Sequence, residues 1–156
     1  MKSIFSLITC FIVMFSIGCE QSQNEDEQIK SMLKEFYIQY NTVWKTSPDY
    51  TPKEFEEKVF SLQNSYCSKR LKNELAKLYE TYKLEHDLLT NDFGGTDEET
   101  LKSTLSVTKD DSSANIFVVS YTVHIGYPSK PRDEKNVIHL KIIKEDGSYK
   151  IDEVLE

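Results

Sequence analysis

The feature that most constrains the fold is an alternation at residues 115–125, which read NIFVVSYTVHI. The odd-numbered positions from 117 to 125 are Phe, Val, Tyr, Val and Ile, whereas the even-numbered positions include Ser, Thr and His. Because neighbouring side chains of a strand point to opposite faces of a sheet, this pattern predicts a strand with one buried face. Such strands are typical of antiparallel sheets that have a core on one side.

Further strands and their turns can be predicted around this one. The Asp146-Gly147 pair indicates a tight hairpin, since both residue types tolerate the positive backbone angles of primed turns. A run of polar residues at 110–113 indicates a second turn. The result is a four-strand antiparallel meander, with strands at residues 101–109, 115–125, 136–144 and 148–154.

The first half of the chain carries helical spacing instead. Apolar residues recur at steps of four and three from Ile29 to Val43, which predicts an amphipathic helix over residues 25–46. Two further helices are predicted at residues 52–63 and 68–86. Helices followed by a meander indicate an α+β fold, in which the N-terminal helices pack on one face of a curved four-strand sheet.

The starts of the second and third helices carry capping residues. Thr51 is the predicted N-cap, Pro52 the first helical residue, and Glu54 the acid that closes a capping box. Ser68 is the predicted N-cap of the third helix. These residues place the helix starts more sharply than the apolar spacing alone does.

Residues 1–18 have the order of a secretory signal. Lys2 gives a short basic start, and residues 4–15 form an apolar run too short to span about 30 Å of hydrocarbon comfortably. The sequence SIGC at residues 16–19 resembles the lipobox of bacterial lipoproteins, whose cysteine is acylated and becomes the first residue. Ser stands where Leu is usual. The resemblance makes Cys19 the predicted lipidation site, and an ordinary cleaved signal with an unrelated cysteine is the alternative.

The lipobox resemblance implies a location and a division of the chain. A lipid on Cys19 would anchor the protein to the outer membrane of a bacterial cell envelope, facing the periplasm or the outside. Residues 19–27 would then be the lipidated cysteine with an acidic, solvated tether, and residues 28–156 a single domain. An acidic stretch in this place also resembles the surface-export signal of some Bacteroidetes lipoproteins, with a plain polar spacer as the alternative.

Charge and cysteine content exclude several classes of function. Residues 1–18 hold one lysine and no acid, so their removal changes the formal charge from −7 to −8. This balance argues against nucleic acid as a partner, because phosphate binding needs clustered Lys and Arg, and it favours cationic ligands or partners. With Cys19 assigned to lipid, Cys67 has no disulfide partner in the domain, and a buried apolar role is favoured for it.

Larger segments together resemble a known superfamily. They are a long N-terminal helix (IKSMLKEFYIQYNTVW), a helix near YCSKRLKNEL, a polar crossover, and strands ending in DGSYKIDEV. The set, over residues 28–156, is similar to small secreted or lipidated bacterial domains of the nuclear-transport-factor-2-like, cystatin-like superfamily. The resemblance implies a cone-shaped fold, with a cavity between helices and sheet in members that bind ligands or act as lyases or isomerases. A shared fold does not by itself transfer a function.

If such a cavity exists, the helical and strand patterns select its walls. The predicted ligand-binding residues are Tyr37, Tyr40, Trp44, Phe117, Tyr121 and Ile142. Their aromatic and apolar side chains suit a flat or apolar small ligand. The alternative is a filled core, because aromatic stripes at these spacings usually pack against one another.

Catalysis of the lyase or isomerase kind would need a carboxylate or histidine base beside a tyrosine donor. The candidate bases are His86, Asp87 and His124, followed by Asp92 and His139, and none lies in a recognised catalytic motif. The histidines at 124 and 139 lie on adjacent predicted strands and could share a metal with a third ligand, but two solvated histidines are the simpler interpretation. We therefore predict no metal site and no cofactor.

Two functions from different classes follow. The favoured one is a lipid-anchored, non-enzymatic binding module for a small ligand or a protein partner, for example an immunity-type protein whose acidic surface meets a basic toxin. The other is an envelope enzyme of the isomerase or lyase type. A protein partner could contact the loop at residues 126–135. A homodimer could form through the apolar outer face of the sheet, which would carry Ile116, Val118, Val137 and Ile143.

Overall fold

The computed structural model describes residues 2–82, 87–90, 96–125 and 132–155, and their side chains except those of residues 2–22, 81 and 82. Two of the candidate bases, His86 and Asp92, lie outside these ranges, as do residues 126–131 of the predicted contact loop.

Within these ranges, four α-helices precede four strands. The helices are α1 (Lys2–Lys45), α2 (Pro52–Tyr66), α3 (Lys69–Tyr82) and α4 (Glu98–Thr104), with a short 3-10 helix (Ser47–Asp49) before α2. The strands are β1 (Ser106–Lys109), β2 (Ile116–Ile125), β3 (Arg132–Glu145) and β4 (Ser148–Leu155). The predicted α+β class is confirmed, with the helices packed against an antiparallel sheet.

Helix α1 is one long helix with a buried apolar stripe. The buried stripe residues are Ile29, Leu33, Phe36, Tyr37 and Tyr40. The helix also includes residues 20–27, for which a solvated tether is predicted, and there the Asp26 carboxylate lies 2.7 Å from Lys109 Nζ of β1. The predicted tether is therefore helical here and is joined to the sheet by this ion pair. In the described part of the chain, no helix has both the length and the apolar content required to cross a membrane.

Both predicted helix caps are confirmed. Thr51 Oγ1 accepts a hydrogen bond from Glu54 N (3.3 Å), and Glu54 Oε2 accepts one from Thr51 N (2.9 Å), which completes the capping box of α2. Ser68 Oγ accepts a hydrogen bond from Leu71 N (3.1 Å) at the start of α3. Helix α2 ends at Tyr66, a little later than predicted.

The strand predicted over residues 101–109 was wrong in its first half. The chain up to Thr104 is helix α4, because the Asp97 side chain caps the helix by accepting a hydrogen bond from Thr100 N (2.9 Å). Strand β1 begins only at Ser106. The apolar residues that indicated one strand are divided between a buried position of α4 and a buried position of β1.

The sheet is the predicted meander, in the order β1-β2-β3-β4 with antiparallel pairing throughout. Phe117 lies opposite Leu140 and Val119 opposite Ile138, so the buried faces of β2 and β3 match. This register places the apolar positions of both strands against the helices in a single core.

The ends of β3 differ in how well the sequence predicts them. Residues 132–135, predicted as part of a loop, extend the strand, and this part of the loop prediction was wrong. The hairpin between β3 and β4 is confirmed, since Asp146 (φ 51°) and Gly147 (φ 81°) both have positive φ. On the outer face of the sheet, Val137 is exposed, and the predicted homodimer through this face stays a prediction.

The segment between α2 and α3 also joins the last strand. Cys67 pairs with Ile151 in a parallel bridge, and Ser68 N donates to Ile151 O (2.8 Å). Ser68 Oγ donates to Asp152 Oδ1 (2.7 Å), and Arg70 Nε and Nη2 donate to the same carboxylate at 3.1 and 3.0 Å. The helical half and the end of the sheet are therefore connected by buried polar contacts.

Candidate functional site

A buried carboxylate lies between helix α1 and the chain that follows α3. Asp87 is fully buried, and its Oδ2 accepts a hydrogen bond from the Tyr40 hydroxyl (2.5 Å). Its Oδ1 accepts hydrogen bonds from Leu89 N (2.6 Å) and Thr90 N (3.4 Å). Gln63 Nε2 in turn donates to the Tyr40 hydroxyl (3.3 Å). Both oxygens of the carboxylate are thus occupied by donors of the protein itself.

Burial governs the protonation of this cluster. Loss of solvent raises the pKa of Asp87 above its usual range, although the hydrogen bonds from Tyr40 and from the backbone of Leu89 and Thr90 act in the opposite direction. Burial, together with the nearby Asp87 charge, also raises the pKa of Tyr40 well above its usual value. Tyr40 therefore remains a hydrogen-bond donor at neutral pH.

The turn at residues 87–90 is held by polar side chains from three elements. Tyr37 of α1 donates to the carbonyl of residue 89 (2.7 Å). Tyr121 of β2 and Asn136 of β3 donate to the carbonyl of residue 90, at 3.2 and 2.5 Å. Tyr40 completes the set through the carboxylate described above. The turn is therefore fixed between helix α1 and the inner face of the sheet.

The structure brings most of the predicted ligand-binding residues together in the core. Those that are buried are Tyr37, Tyr40, Phe117, Tyr121 and Ile142. The rings of Tyr37 and Tyr121 lie 6.0 Å apart between centroids, and their hydroxyls bond the turn at residues 87–90. Trp44, the sixth predicted residue, lines a described cleft instead. A ligand-binding role for the buried five stays a prediction.

That cleft lies between the end of α1, helix α2 and helix α3. Its volume is about 390 Å³, and it is lined by Trp44, Phe55, Glu56, Val59, Phe60, Ala76, Tyr79 and Glu80. Half of these side chains are aromatic, and the only charged ones are acidic. Phe60 is 46% exposed, which is a large exposure for a phenyl ring. Size and lining are those of a small-molecule site.

Trp44 and Tyr79 form a wall between the cleft and the buried cluster. Both side chains line the cleft, yet the Trp44 Nε1 and Tyr79 Oη atoms are buried and have no hydrogen-bond partner of normal geometry among the described residues. Tyr79 Oη lies near the carboxylate, since burial and then the Asp87 charge raise the pKa of Tyr79. Trp44 is among the groups that oppose the burial-driven rise in the pKa of Asp87. Trp44 and Tyr79 thus line the cleft while both interact with the buried carboxylate.

His124, a candidate base, belongs to a separate and exposed cluster. Its Nδ1 lies 2.6 Å from Asp133 Oδ1, and its Nε2 lies 3.2 Å from Thr100 Oγ1 and 3.5 Å from Asp97 Oδ2. The strand register places Asp133, not His139, opposite this histidine, so the suggested cross-strand histidine pair was wrong. Within the described ranges, no group of three or more potential metal ligands forms.

The structure describes the side chain of Cys67 but not that of Cys19. Cys67 is buried, and burial followed by the Asp87 charge raises the pKa of its thiol to about 12, so it is not a reactive nucleophile. Cys19 lies in α1 outside the described side chains, and its lipidation stays a prediction.

Sequence reasoning missed several residues of the cluster and the cleft. They are Phe60, Gln63, Tyr79 and Asn136. Two of them were indicated by a signal that can be recognised: Gln63 follows Val59 by four positions and Tyr79 follows Leu75 by four, so each continues the buried stripe of its helix. A buried polar residue that continues such a stripe needs a polar partner, and for Gln63 that partner is the Tyr40 hydroxyl of the Asp87 cluster.

Comparisons with known proteins identify a similar fold but give no function. No protein-family profile matches the chain, and no curated protein does. A similar solved structure is the crystal structure, at 2.10 Å resolution, of a protein of unknown function from Bacteroides thetaiotaomicron VPI-5482. The TM-score is 0.72 at 22% sequence identity, and the match covers 91% of this chain and 99% of the other. This chain therefore shares its fold with a Bacteroides protein.

Proposed function

We propose that this protein is a lipid-anchored, non-enzymatic binding module of the bacterial cell envelope that holds a small ligand in the cleft between α1, α2 and α3. The observation that carries the proposal is the cleft itself, where aromatic rings line about 390 Å³ and Phe60 is 46% exposed. Concave apolar surface that stays open to solvent is characteristic of a surface that another molecule covers.

Preorganisation of the walls supports this function. Trp44 and Phe55 pack edge to face, with ring centroids 5.0 Å apart and an interplanar angle of 81°. The capping box fixes the start of α2, which carries Phe55 in its first turns. A site that is already shaped loses less conformational entropy when it binds.

The anchor and the superfamily are parts of the same proposal. SIGC at residues 16–19 supports lipidation of Cys19 and attachment to the outer membrane. Helices followed by an antiparallel meander support membership of the nuclear-transport-factor-2-like superfamily. The fold shared with a Bacteroides protein supports an origin in that group of bacteria.

Ligand binding can be followed through the chain's only tryptophan, because Trp44 lines the cleft. Titration of the detergent-solubilised protein with 2-phenylethanol should change Trp44 emission saturably, with a dissociation constant in the millimolar range, about −4 kcal/mol. Replacement of Phe60 by Ser should weaken binding about fivefold, because it removes apolar contact area.

The matched control is Val137→Ser on the outer face of the sheet. Val137 is 44% exposed, close to the 46% of Phe60, but it does not line the cleft. Its replacement should leave the titration unchanged. Absence of a saturable change with 2-phenylethanol and with its charged analogues would contradict the proposed function.

The anchor is tested in a bacterial host that processes lipoproteins. Full-length protein should fractionate with membranes, and Cys19→Ser should move most of it to the soluble fraction, because a lipid chain contributes about 0.8 kcal/mol per buried methylene. Cys10→Ser is the matched control, since it removes a cysteine from the same segment without touching SIGC. Unchanged membrane association of the Cys19→Ser protein would refute the anchor and leave the cleft proposal standing.

The enzyme alternative has one observation in its favour. Asp87 and Tyr40 are an acid and a phenol in direct contact, the pair that an isomerase or lyase would need. Both groups are fully buried and engaged with protein donors, so a substrate would have to displace the turn at residues 87–90 to reach them. The alternative stays a prediction, as does a basic protein partner.

A further inference from the structure

We propose that the cleft selects organic ammonium ions, namely small molecules with an aromatic or apolar body and a protonated amine. The inference rests on the proposed function and adds the chemical class of the ligand. It is carried by the juxtaposition, in one cleft, of four aromatic side chains with two carboxylates that have no ion-pair partner among the described residues.

The first observation is the charge of the lining. Glu56 of α2 and Glu80 of α3 both line the cleft, and none of the described residues that line it is basic. Neither carboxylate forms an ion pair within the described ranges of the chain. The two lysines of α2 are directed elsewhere, because Lys53 lies 3.7 Å from Glu57 and Lys58 lies over the Tyr50 ring at 4.8 Å. The cleft therefore offers negative charge that no ion pair within the described ranges neutralises.

The second observation is the geometry of the rings. Trp44 and Phe55 pack edge to face at an interplanar angle of 81°, and Phe60 and Tyr79 add further aromatic surface to the same cleft. The faces of aromatic rings attract cations, and arrays of them bind ammonium groups in proteins. An apolar ligand body can cover the exposed Phe60 ring while its amine lies among the ring faces and the carboxylates.

The net negative charge of the chain also favours cationic ligands. At a formal charge of −7 for the full sequence, the protein attracts cations and repels anions over its surface. This long-range effect is weakened by salt, whereas a cation held between rings and carboxylates is screened less. Salt therefore separates general attraction from binding in the cleft.

The test uses three probes with the same ring and chain length: 2-phenylethylamine, 2-phenylethanol and phenylacetate. Trp44 emission is titrated at pH 7, where the first is a cation, the second neutral and the third an anion. The amine should bind about tenfold more tightly than the alcohol, and phenylacetate more weakly than either. The preference for the amine should persist at about 0.5 M salt, where exposed charges are largely screened.

Two double variants that remove the same charge show which residues produce the preference for the amine. Glu56→Gln with Glu80→Gln should reduce the preference for the amine to about threefold or less, the part that ring faces supply. Glu99→Gln with Asp111→Asn removes the same charge at exposed positions outside the cleft, and it should leave the preference intact.

The outcomes distinguish failure of the ammonium selectivity from failure of the proposed ligand-binding function. Equal affinity for the amine and the alcohol would overturn the selection of ammonium ions while the cleft remains a binding site. Equal loss of preference in both double variants would assign it to net charge and would also overturn the inference. No saturable response to any of the three probes would refute the inference and the proposed function together.

Discussion

Replacement of Asp87 by Leu is expected to lower the free energy of unfolding by about 3–5 kcal/mol, because unsatisfied buried polar groups cost about 1–3 kcal/mol each. The variant leaves the amide of Leu89, the amide of Thr90 and the hydroxyl of Tyr40 without their acceptor. Denaturant unfolding followed by circular dichroism measures the loss. A Leu variant as stable as the parent protein would show that these hydrogen bonds do not hold the turn.

The matched variant is Asp87→Asn, which keeps an oxygen for the two amides and removes the ionisable group. Its unfolding free energy at pH 7 should lie within about 1 kcal/mol of the parent value, because Oδ1 can still accept from the Leu89 and Thr90 amides without a buried charge, and the new amide nitrogen can donate to the Tyr40 hydroxyl in place of accepting from it. Comparison of the Asn and Leu variants therefore separates the role of the hydrogen bonds from the role of the charge.

The Asn variant should also change the pH dependence of stability. The pKa of Asp87 in the folded protein is raised by burial above its unfolded value, which is about 3.9. A raised carboxyl pKa means that the folded state holds the proton more tightly than the unfolded state does. The stability that this tighter proton binding contributes is therefore complete below about pH 4 and is lost as the pH rises through the folded pKa. Relative to the parent protein, Asp87→Asn should thus gain stability with rising pH. A constant difference from pH 4 to 8 would contradict this.

Replacement of Asp152 by Ala is the second large effect, with an expected loss of about 1–3 kcal/mol in the free energy of unfolding, because it leaves the buried Ser68 hydroxyl and the half-exposed Arg70 guanidinium without their acceptor. The Ser68 hydroxyl, which is buried, loses its bond of 2.7 Å, and Arg70 loses bonds of 3.1 and 3.0 Å. These bonds connect the start of α3 to β4. The control is Glu153→Ala, which removes a half-exposed carboxylate 3.4 Å from Arg70 and should cost less than about 1 kcal/mol.

The pH dependence of this contact has the opposite sign from that of Asp87. Burial alone would raise the pKa of Asp152, but hydrogen bonds from Arg70 and Ser68 outweigh it and hold the pKa below its usual range. Its stabilisation is present above the unfolded pKa of about 3.9 and is lost as the pH falls through the lower folded value. The Ala variant and the parent protein should therefore converge in stability in strong acid. Equal losses for Asp152→Ala and Glu153→Ala at pH 7 would refute the special role of Asp152.

Local sequence signals predicted most of the fold. The capping box at Thr51 and Glu54, the N-cap at Ser68 and the hairpin at Gly147 depend on neighbouring residues, and each is confirmed. Helix α4 was missed because a helix of about two turns and a short strand in succession give an apolar spacing that also fits one longer strand.

The candidate site was predicted less completely, because it depends on contacts between distant parts of the chain. Asp87 and Tyr40 were both singled out, but their contact joins residues 47 positions apart and no periodicity indicates it. The aromatic residues were assigned to one cavity, whereas the structure divides them between the core and a cleft whose other walls come from α2 and α3. Helix packing decides that division, and spacing along one helix carries no information about it.

Because the bridge between Cys67 and Ile151 joins distant parts of the chain, we expect the domain to close late in folding. Contacts such as Ser68 with Asp152, which are 84 positions apart, form only after the intervening chain is ordered, and long-range contacts of this kind slow folding. Strand β4 follows every other described element, so α2 and α3 lack their sheet partner until it has left the ribosome.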